Sequence, residues 1–255
     1  MIECGSLEYA HARLHARHGQ RLDEAAWRRI ESMREFAPLL EAVRAGALWP
    51  WLVGITADSS AHQVEAVLRG HWRALIDERA AWMPVSWQGA LHWCKVLPDL
   101  ALLQHLARGA EPVAWMHDDP TWRELCAAQP PGRASMLQAG PFAALASAWS
   151  TPETLGRAWL DEWRRRLPRP VSDAGDALQR LLRVLLDHRR AFVDAAPREG
   201  WLLRGALRAR LSLLFRQAAL QPAVAFIDLA LCALDLERLR AELLRRVLFP
   251  RWQVT

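Results

Sequence analysis

Two distant stretches of this chain follow the same pattern. Residues 96–108 read VLPDLALLQHLAR and residues 234–245 read LDLERLRAELLR. When Asp99 is placed over Asp235, the leucines one and four residues further along coincide. A carboxylate followed by leucines at helical spacing is typical of a helix start, because the side chain can accept free N–H groups of the first turn. The pattern predicts a duplicated helical segment, which is typical of scaffolds built from helical repeats.

The composition predicts an all-α protein. Hydrophobic residues make up 52% of the 255 residues, which is enough to bury a substantial core. Leu, Ala, Arg and Glu dominate, whereas Tyr occurs once. No stretch of alternating apolar and polar residues lies beside an Asn-Gly or Asp-Gly turn, so strands have little support. Together with the duplication, this favours an elongated array of repeated helical units.

Prolines and glycines suggest three segments along the chain. Residues 1–110 form a first helical repeat, residues 111–170 are broken by prolines, and residues 171–255 form a second helical repeat. The sequence Pro168-Arg169-Pro170 predicts a hinge between the last two. The longest helices are expected over residues 61–83, 173–195, 199–220 and 223–249.

The formal charge of +5 and the isoelectric point near 9.6 raise the question of an anionic partner. Lys95 is the only lysine, and the arginines are interspersed with acids, as in residues 161–166. This mixture favours a solvated helix face with ion pairs over a nucleic-acid patch. A basic, tryptophan-rich nucleic-acid-binding protein stays an alternative that predicts steeply salt-dependent binding, but nucleic acid is not the expected partner.

Cysteines and terminal sequence point to the cytoplasm. The four cysteines are far apart and form no CxxC, so neither a disulfide framework nor a zinc motif is indicated. The first residues lack a basic region followed by an apolar run. The longest apolar stretch, residues 218–234, is interrupted by Gln221, Pro222 and Asp228, which argues against a membrane span.

Catalytic motifs are missing from the sequence. It contains no glycine-rich phosphate loop, no Gly-x-Ser-x-Gly elbow and no paired catalytic carboxylates. We therefore predict a protein that is not an enzyme and that has no catalytic residues, cofactor or metal. His11, His15 and His18 share one helix face, and such histidines can bind zinc. A solvated face is the preferred interpretation, with a metal site as the alternative.

Aromatic and basic side chains provide candidates for contacts with a partner protein. The chain has fourteen tryptophans, several of which lie in predicted loops. Exposed tryptophans and arginines are frequent at the centres of protein interfaces. The predicted contact residues are Trp49, Trp51, Arg164, Arg165, Arg166, Arg204 and Arg208.

A series of short motifs resembles a known family. In order, they are YAHARLHAR at residues 9–17, FAPLLEA at 36–42, VEAVLR at 64–69, DLALL at 99–103 and DLERLR at 235–240. Their order is similar to that in the central-stalk connector family of rotary (V/A-type) ATPases, which occurs in archaeal-type and in eukaryotic V-type enzymes. The resemblance covers the first 110 or so residues and the last 35 or so.

The resemblance implies a mechanical role. Members of this family form a funnel of helices that couples the central stalk to the membrane rotor ring during proton or sodium transport. We therefore expect a non-catalytic structural subunit whose partners are stalk and rotor-ring subunits. It would be cytoplasmic, or peripheral on the inner face of the cell membrane. The alternative is a diverged helical adaptor that binds a different protein partner.

Overall fold

The structure, a computed structural model, describes residues 6–168 and 175–249. These residues form twelve α-helices and several short 3-10 helices, with no strand among them, which confirms the all-α prediction. In this part of the chain, no helix combines the length and the apolarity needed to cross a membrane. The helices are α1 (Leu7–Gly19), α2 (Glu24–Ser32), α3 (Phe36–Arg44), α4 (Ala61–Trp82), α5 (Val85–Trp93), α6 (Leu100–Ala107), α7 (Arg123–Ala127), α8 (Pro130–Ala139), α9 (Leu155–Arg165), α10 (Gly175–Asp194), α11 (Gly200–Gln217) and α12 (Ala223–Leu248).

The chain divides into two compact units. The first unit combines Met1–Gln88 with Arg169–Thr255, and the second unit is Gly89–Pro168. The predicted segments 1–110 and 171–255 therefore contribute to the same unit, apart from residues 89–110. The predicted hinge at residues 168–170 lies, except for Pro168, outside the described residues.

The two segments that resemble each other in sequence have different structures. Asp99 ends the 3-10 helix Cys94–Asp99, and its side chain makes no capping hydrogen bond to α6. Asp235 lies inside α12, which runs without a break from Ala223 to Leu248. The prediction of a repeated helix start is therefore wrong at the second copy. The physical reason is that the carboxylate of Asp235 binds the side chains of Arg21 and Arg208 rather than backbone N–H groups.

Side-chain caps fix the starts of three helices in the first unit. The Ser6 hydroxyl accepts a hydrogen bond from the Tyr9 N–H at 3.2 Å, and Asp23 accepts one from the Ala26 N–H at 2.7 Å. At the start of α4, the Ser60 N–H donates to Gln63 Oε1 at 2.7 Å, while the Gln63 N–H donates to Ser60 Oγ at 3.3 Å. These caps satisfy backbone donors that a helix leaves free in its first turn.

The core of the first unit joins the N-terminal helices to the C-terminal half of α12. Buried side chains from α2, α3, α4 and the turn around Trp49–Leu52 pack against two leucines of α12. Burying a side chain of this kind contributes roughly 1.5–3 kcal/mol. The cluster consists of Trp27, Ile30, Leu39, Leu40, Val43, Leu48, Leu52, Ile55, Val64, Leu68, Leu239 and Leu243.

The second unit has a separate core that includes a reciprocal tryptophan pair. Trp93 Nε1 donates to the carbonyl of Trp159 at 3.0 Å, and Trp159 Nε1 donates to the carbonyl of Trp93 at 3.3 Å. Trp122 is fully buried and stacks on Phe142, with ring centroids 5.4 Å apart. The two indole N–H groups of the reciprocal pair are thus both satisfied, and the pair joins α5 to α9.

A buried ion network ties α12 to the N-terminal helices. Asp228 of α12 is completely buried. Arg21, in the turn after α1, donates from Nη2 to Asp228 Oδ1 at 2.9 Å, and Arg79 of α4 donates from Nε to Asp228 Oδ2 at 3.0 Å. Arg21 also donates to the carboxylate of Asp235. Buried charges need such partners, because the cost of taking an ion out of water is several kcal/mol.

A second group of arginines on α12 extends this connection. Arg238 donates to both oxygens of Glu24, at 2.9 and 2.7 Å, and to Glu31 at 2.6 Å. Arg246 is 4% exposed and donates from Nε to the carbonyl of Met33 at 3.0 Å. These contacts bind α12 to α2 and to Met33, the residue that follows α2.

We expect Asp228→Ala to reduce the free energy of unfolding by about 3 kcal/mol, because Arg21 then keeps only Asp235, and Arg79 only Glu78, as a carboxylate partner. The matched control is Glu41→Ala, which removes a 2.7 Å ion pair to Arg44 in which the side chains are 74% and 42% exposed. This control should cost no more than about 1 kcal/mol. Urea unfolding of the full chain measures both. Equal unfolding midpoints for the two variants would contradict the importance of the buried network.

Candidate functional site

A cleft of about 410 Å³, with several charged side chains in mainly apolar walls, lies in the first unit. Its walls are the end of α1, the turn at residues 47–51 and α4, and Cys232 and Asp235 of α12 also line it. Glu78 connects two arginines across one wall, since Arg17 donates to its Oε1 at 3.1 Å and Arg79 donates to its Oε2 at 2.6 Å. The positive charges at the cleft are therefore balanced by carboxylates of the same chain.

The cysteine of the cleft is a poor nucleophile. Burial, together with the negative charge of Asp228, raises the pKa of the Cys232 thiol to about 12. The thiol therefore stays protonated near neutral pH, whereas nucleophilic cysteines need a lowered pKa. Across residues 6–168 and 175–249, no group of three His, Cys, Asp or Glu side chains could hold a metal ion.

The two predicted contact tryptophans differ in their surroundings. Trp51 lines the cleft and packs, partly buried, against the core of the first unit. Trp49, two residues earlier, is 55% exposed. Trp49 is thus accessible to a partner protein, while Trp51 also serves the internal packing.

The predicted contact arginines of the second unit bind carboxylates on their own helix. Arg165 and Arg166 donate to Glu162 at 2.7 and 2.6 Å, and Arg164 donates to Asp161 at 3.4 Å. The pKa of Glu162 is lowered, and the hydrogen bond from Arg165 is the largest cause. These three arginines therefore form local ion pairs, as expected of a solvated helix face.

The predicted contact arginines of α11 also have partners in the chain. Arg204 donates to the two carboxylate oxygens of Glu237 at 2.9 and 2.5 Å. Its guanidinium lies over the rings of Phe192 and Trp201, at 4.5 and 4.8 Å from their centroids. Arg208 donates to Asp235 at 2.5 Å. Both arginines therefore hold α11 against α12.

An exposed apolar face of α11 was not identified from the sequence. Buried residues of this helix, such as Leu207, Leu211 and Phe215, face the core. A second set of apolar residues lies on the exposed side. Four of its members, at positions 202, 206, 209 and 213, follow the spacing i, i+4, i+7 and i+11, which places them on one side of a helix. This spacing is the sequence signal for the exposed face. Its members are Trp201, Leu202, Gly205, Ala206, Ala209 and Leu213.

Two of the three histidines of α1 contact a phenylalanine of α11, and the third contacts one of these two histidines. The ring centroids of His11 and His15 are 4.1 Å apart, and Phe215 lies 4.7 Å from His15 and 4.2 Å from His18. Nε2 of His11, Nε2 of His15 and Nδ1 of His18 are buried and have no hydrogen-bond partner within the described residues. The preferred interpretation, a solvated face, therefore holds only in part, because the histidines are half-buried in a contact between helices.

Two of these histidines have lowered pKa values. Burial is the main cause for His11, followed by the charge of His15. Burial is also the main cause for the lower pKa of His18, where Arg21, His15 and Arg216 add to it and Asp228 opposes it. Both imidazoles therefore resist protonation in the folded chain.

We expect the free energy of unfolding to fall as the pH drops below the ordinary histidine value of 6.5, because the unfolded chain then binds protons that folded His11 and His18 do not. Urea unfolding at about pH 7.5 and about pH 5.5 measures this dependence. The variant combining His11→Gln with His18→Gln should show a smaller difference between the two pH values. His62→Gln, which changes an exposed histidine of α4, is the control. An unchanged difference in the double variant would contradict the assignment.

Comparisons with known proteins give no relative for this chain, since no family model, no curated protein and no solved structure matches it.

Proposed function

We propose that this chain is a non-catalytic helical subunit that acts through protein contacts, and that it joins a rotary ATPase between the central stalk and the membrane rotor ring. The proposal starts from the ordered motifs that resemble the stalk connector. It places the protein in the cytoplasm, peripheral to the inner face of the cell membrane. Its partners would be stalk and rotor-ring subunits that transport protons or sodium ions.

One observation carries the proposal: the motifs at the two ends of the chain pack together in the first unit. The motifs at residues 9–17, 36–42 and 64–69 lie on α1, α3 and α4, and the motif at 235–240 lies on α12. Leu39 and Leu40 share a core cluster with Leu239. Segments that lie about 200 residues apart in the sequence thus form one packed body.

Ion pairs strengthen the same body. Arg240 of α12 donates to Glu65 of α4 at 2.7 Å, and Arg21 connects the turn after α1 with Asp228 and Asp235. Packed protein interiors transmit strain because they are close-packed and compress little. A subunit that passes torque between two larger parts needs this property. The duplicated helix start no longer supports the proposal, because Asp235 lies inside α12.

The cleft is also compatible with a non-catalytic role. Its arginines are paired with Glu78, Asp228 and Asp235, and the pKa of its thiol is raised to about 12. Groups that stay paired or protonated serve structure better than they serve proton transfer or nucleophilic attack.

A helical adaptor with another protein partner is the second candidate function. The exposed apolar face of α11 favours it, because such a face is typical of a protein contact and does not call for a rotary machine. The two candidates share the mode of action and differ in the identity of the partner.

Purification of the chain from its own cells distinguishes them. We expect an affinity-tagged chain, produced at its natural level and extracted with mild detergent, to bring down stalk and rotor-ring subunits in constant ratio to itself. The control is the same extraction with an untagged chain. Recovery of a different protein in constant ratio would replace the rotary proposal with the adaptor. Recovery of the chain alone would contradict both.

A further inference from the structure

The exposed face of α11 is an apolar surface that the described residues leave largely open, although the guanidinium of Arg204 lies over the ring of Trp201. Leu202 is 76% exposed, and Trp201 and Leu213 are each 49% exposed. Gly205, Ala206 and Ala209 lie between them and are exposed as well. A row of apolar side chains this long on one helix is typical of a surface that another molecule covers.

The shape of this face suits another helix. Large side chains stand at its two ends, and the middle holds only glycine and alanine. A Cβ atom added to Gly205 would meet no atom within 4 Å, so the space beside the helix is open there. Small residues let a second helix approach closely, while large residues at the ends fit into its grooves.

The charge on α11 indicates the chemistry of that helix. Residues 200–217 contain four arginines and no carboxylate. Arg204 and Arg208 are bound to Glu237 and Asp235 of α12. Arg210 is 52% exposed, with Asp187 at 3.8 Å, and Arg216 is exposed. A partner with acidic side chains beside its apolar stripe would complement this surface.

We propose that the exposed face of α11 binds an amphipathic, acidic helix of a partner protein. A second copy of this chain fits less well, because a symmetric contact would place arginines against arginines. A lipid surface also fits less well, because the glycine and alanines in the middle offer little apolar volume for insertion. The proposal rests on the proposed function only in that the chain acts through a protein contact, and it does not depend on a rotary ATPase.

Photo-cross-linking tests the occupant of the face. A photoreactive amino acid replaces Ala206 in the full chain, and the cells that make the protein are irradiated. The cross-linked peptide is then isolated and sequenced by mass spectrometry. The matched control carries the same amino acid in place of Ala12, an exposed alanine of α1. We expect Ala206 to give a single main cross-link to an acidic segment of a partner protein with apolar residues at helical spacing. Cross-links to the same chain, to a second copy or to lipid, or a yield no higher than at Ala12, would overturn the proposal.

A pair of variants tests the charge complementarity. In the chain cross-linked through Ala206, Ala209→Glu should reduce the yield at least about tenfold, because it sets a negative charge against an acidic partner. Ala209→Gln adds an uncharged side chain of the same length and should keep the yield within about threefold. Circular dichroism checks that both variants stay folded. Equal losses in the two variants would overturn the acidic character of the partner.

The outcomes separate this inference from the proposed function. If ATPase subunits co-purify with the chain while the cross-link yield at Ala206 is no higher than at Ala12, the inference fails and the rotary proposal stands. If the cross-linked peptide is acidic and helical but belongs to another assembly, the inference stands and the rotary proposal fails.

Discussion

The ion pairs of Asp228 fix the position of α12 in the first unit. A carboxylate with no exposure to water is tolerated only because Arg21 and Arg79 approach it from two different elements. Two charge-assisted hydrogen bonds of about 3 Å, from Arg21 and Arg79, add a directional constraint to the hydrophobic contacts of α12. The network therefore determines how the two ends of the chain meet, and the leucine core around Leu239 adds to their attachment.

Several other arginines of the first unit are also bound within the chain. Arg204, Arg208, Arg238 and Arg246 each bind a carboxylate or a carbonyl of the same molecule. The high isoelectric point reflects a small excess of positive charge, with 33 Lys and Arg side chains against 28 Asp and Glu side chains. That excess includes Arg210 and Arg216 on the outer side of α11, which is where the charge can influence the choice of a partner.

The long helices could be predicted from sequence, because their signals are local. The range expected for α4 was 61–83 and the structure has Ala61–Trp82, where Ser60 caps the start and Pro84 lies just beyond the end. The expected range 223–249 likewise matches Ala223–Leu248. The role of Asp235 could not be predicted, because its partner Arg21 lies 214 residues away. A carboxylate before a leucine pattern looks the same whether it caps a helix or binds a distant arginine.

Hydrogen exchange of the full, unmodified chain tests most directly whether α12 organises the first unit. We expect the amides of residues 224–235 to be the most protected of the first unit. We also expect α1 and α4, which Arg21 and Arg79 bind to Asp228, to open with the same free energy as α12, as one cooperative element does. If α1 or α4 opens at a much lower free energy while α12 stays protected, the ion network does not hold the unit together.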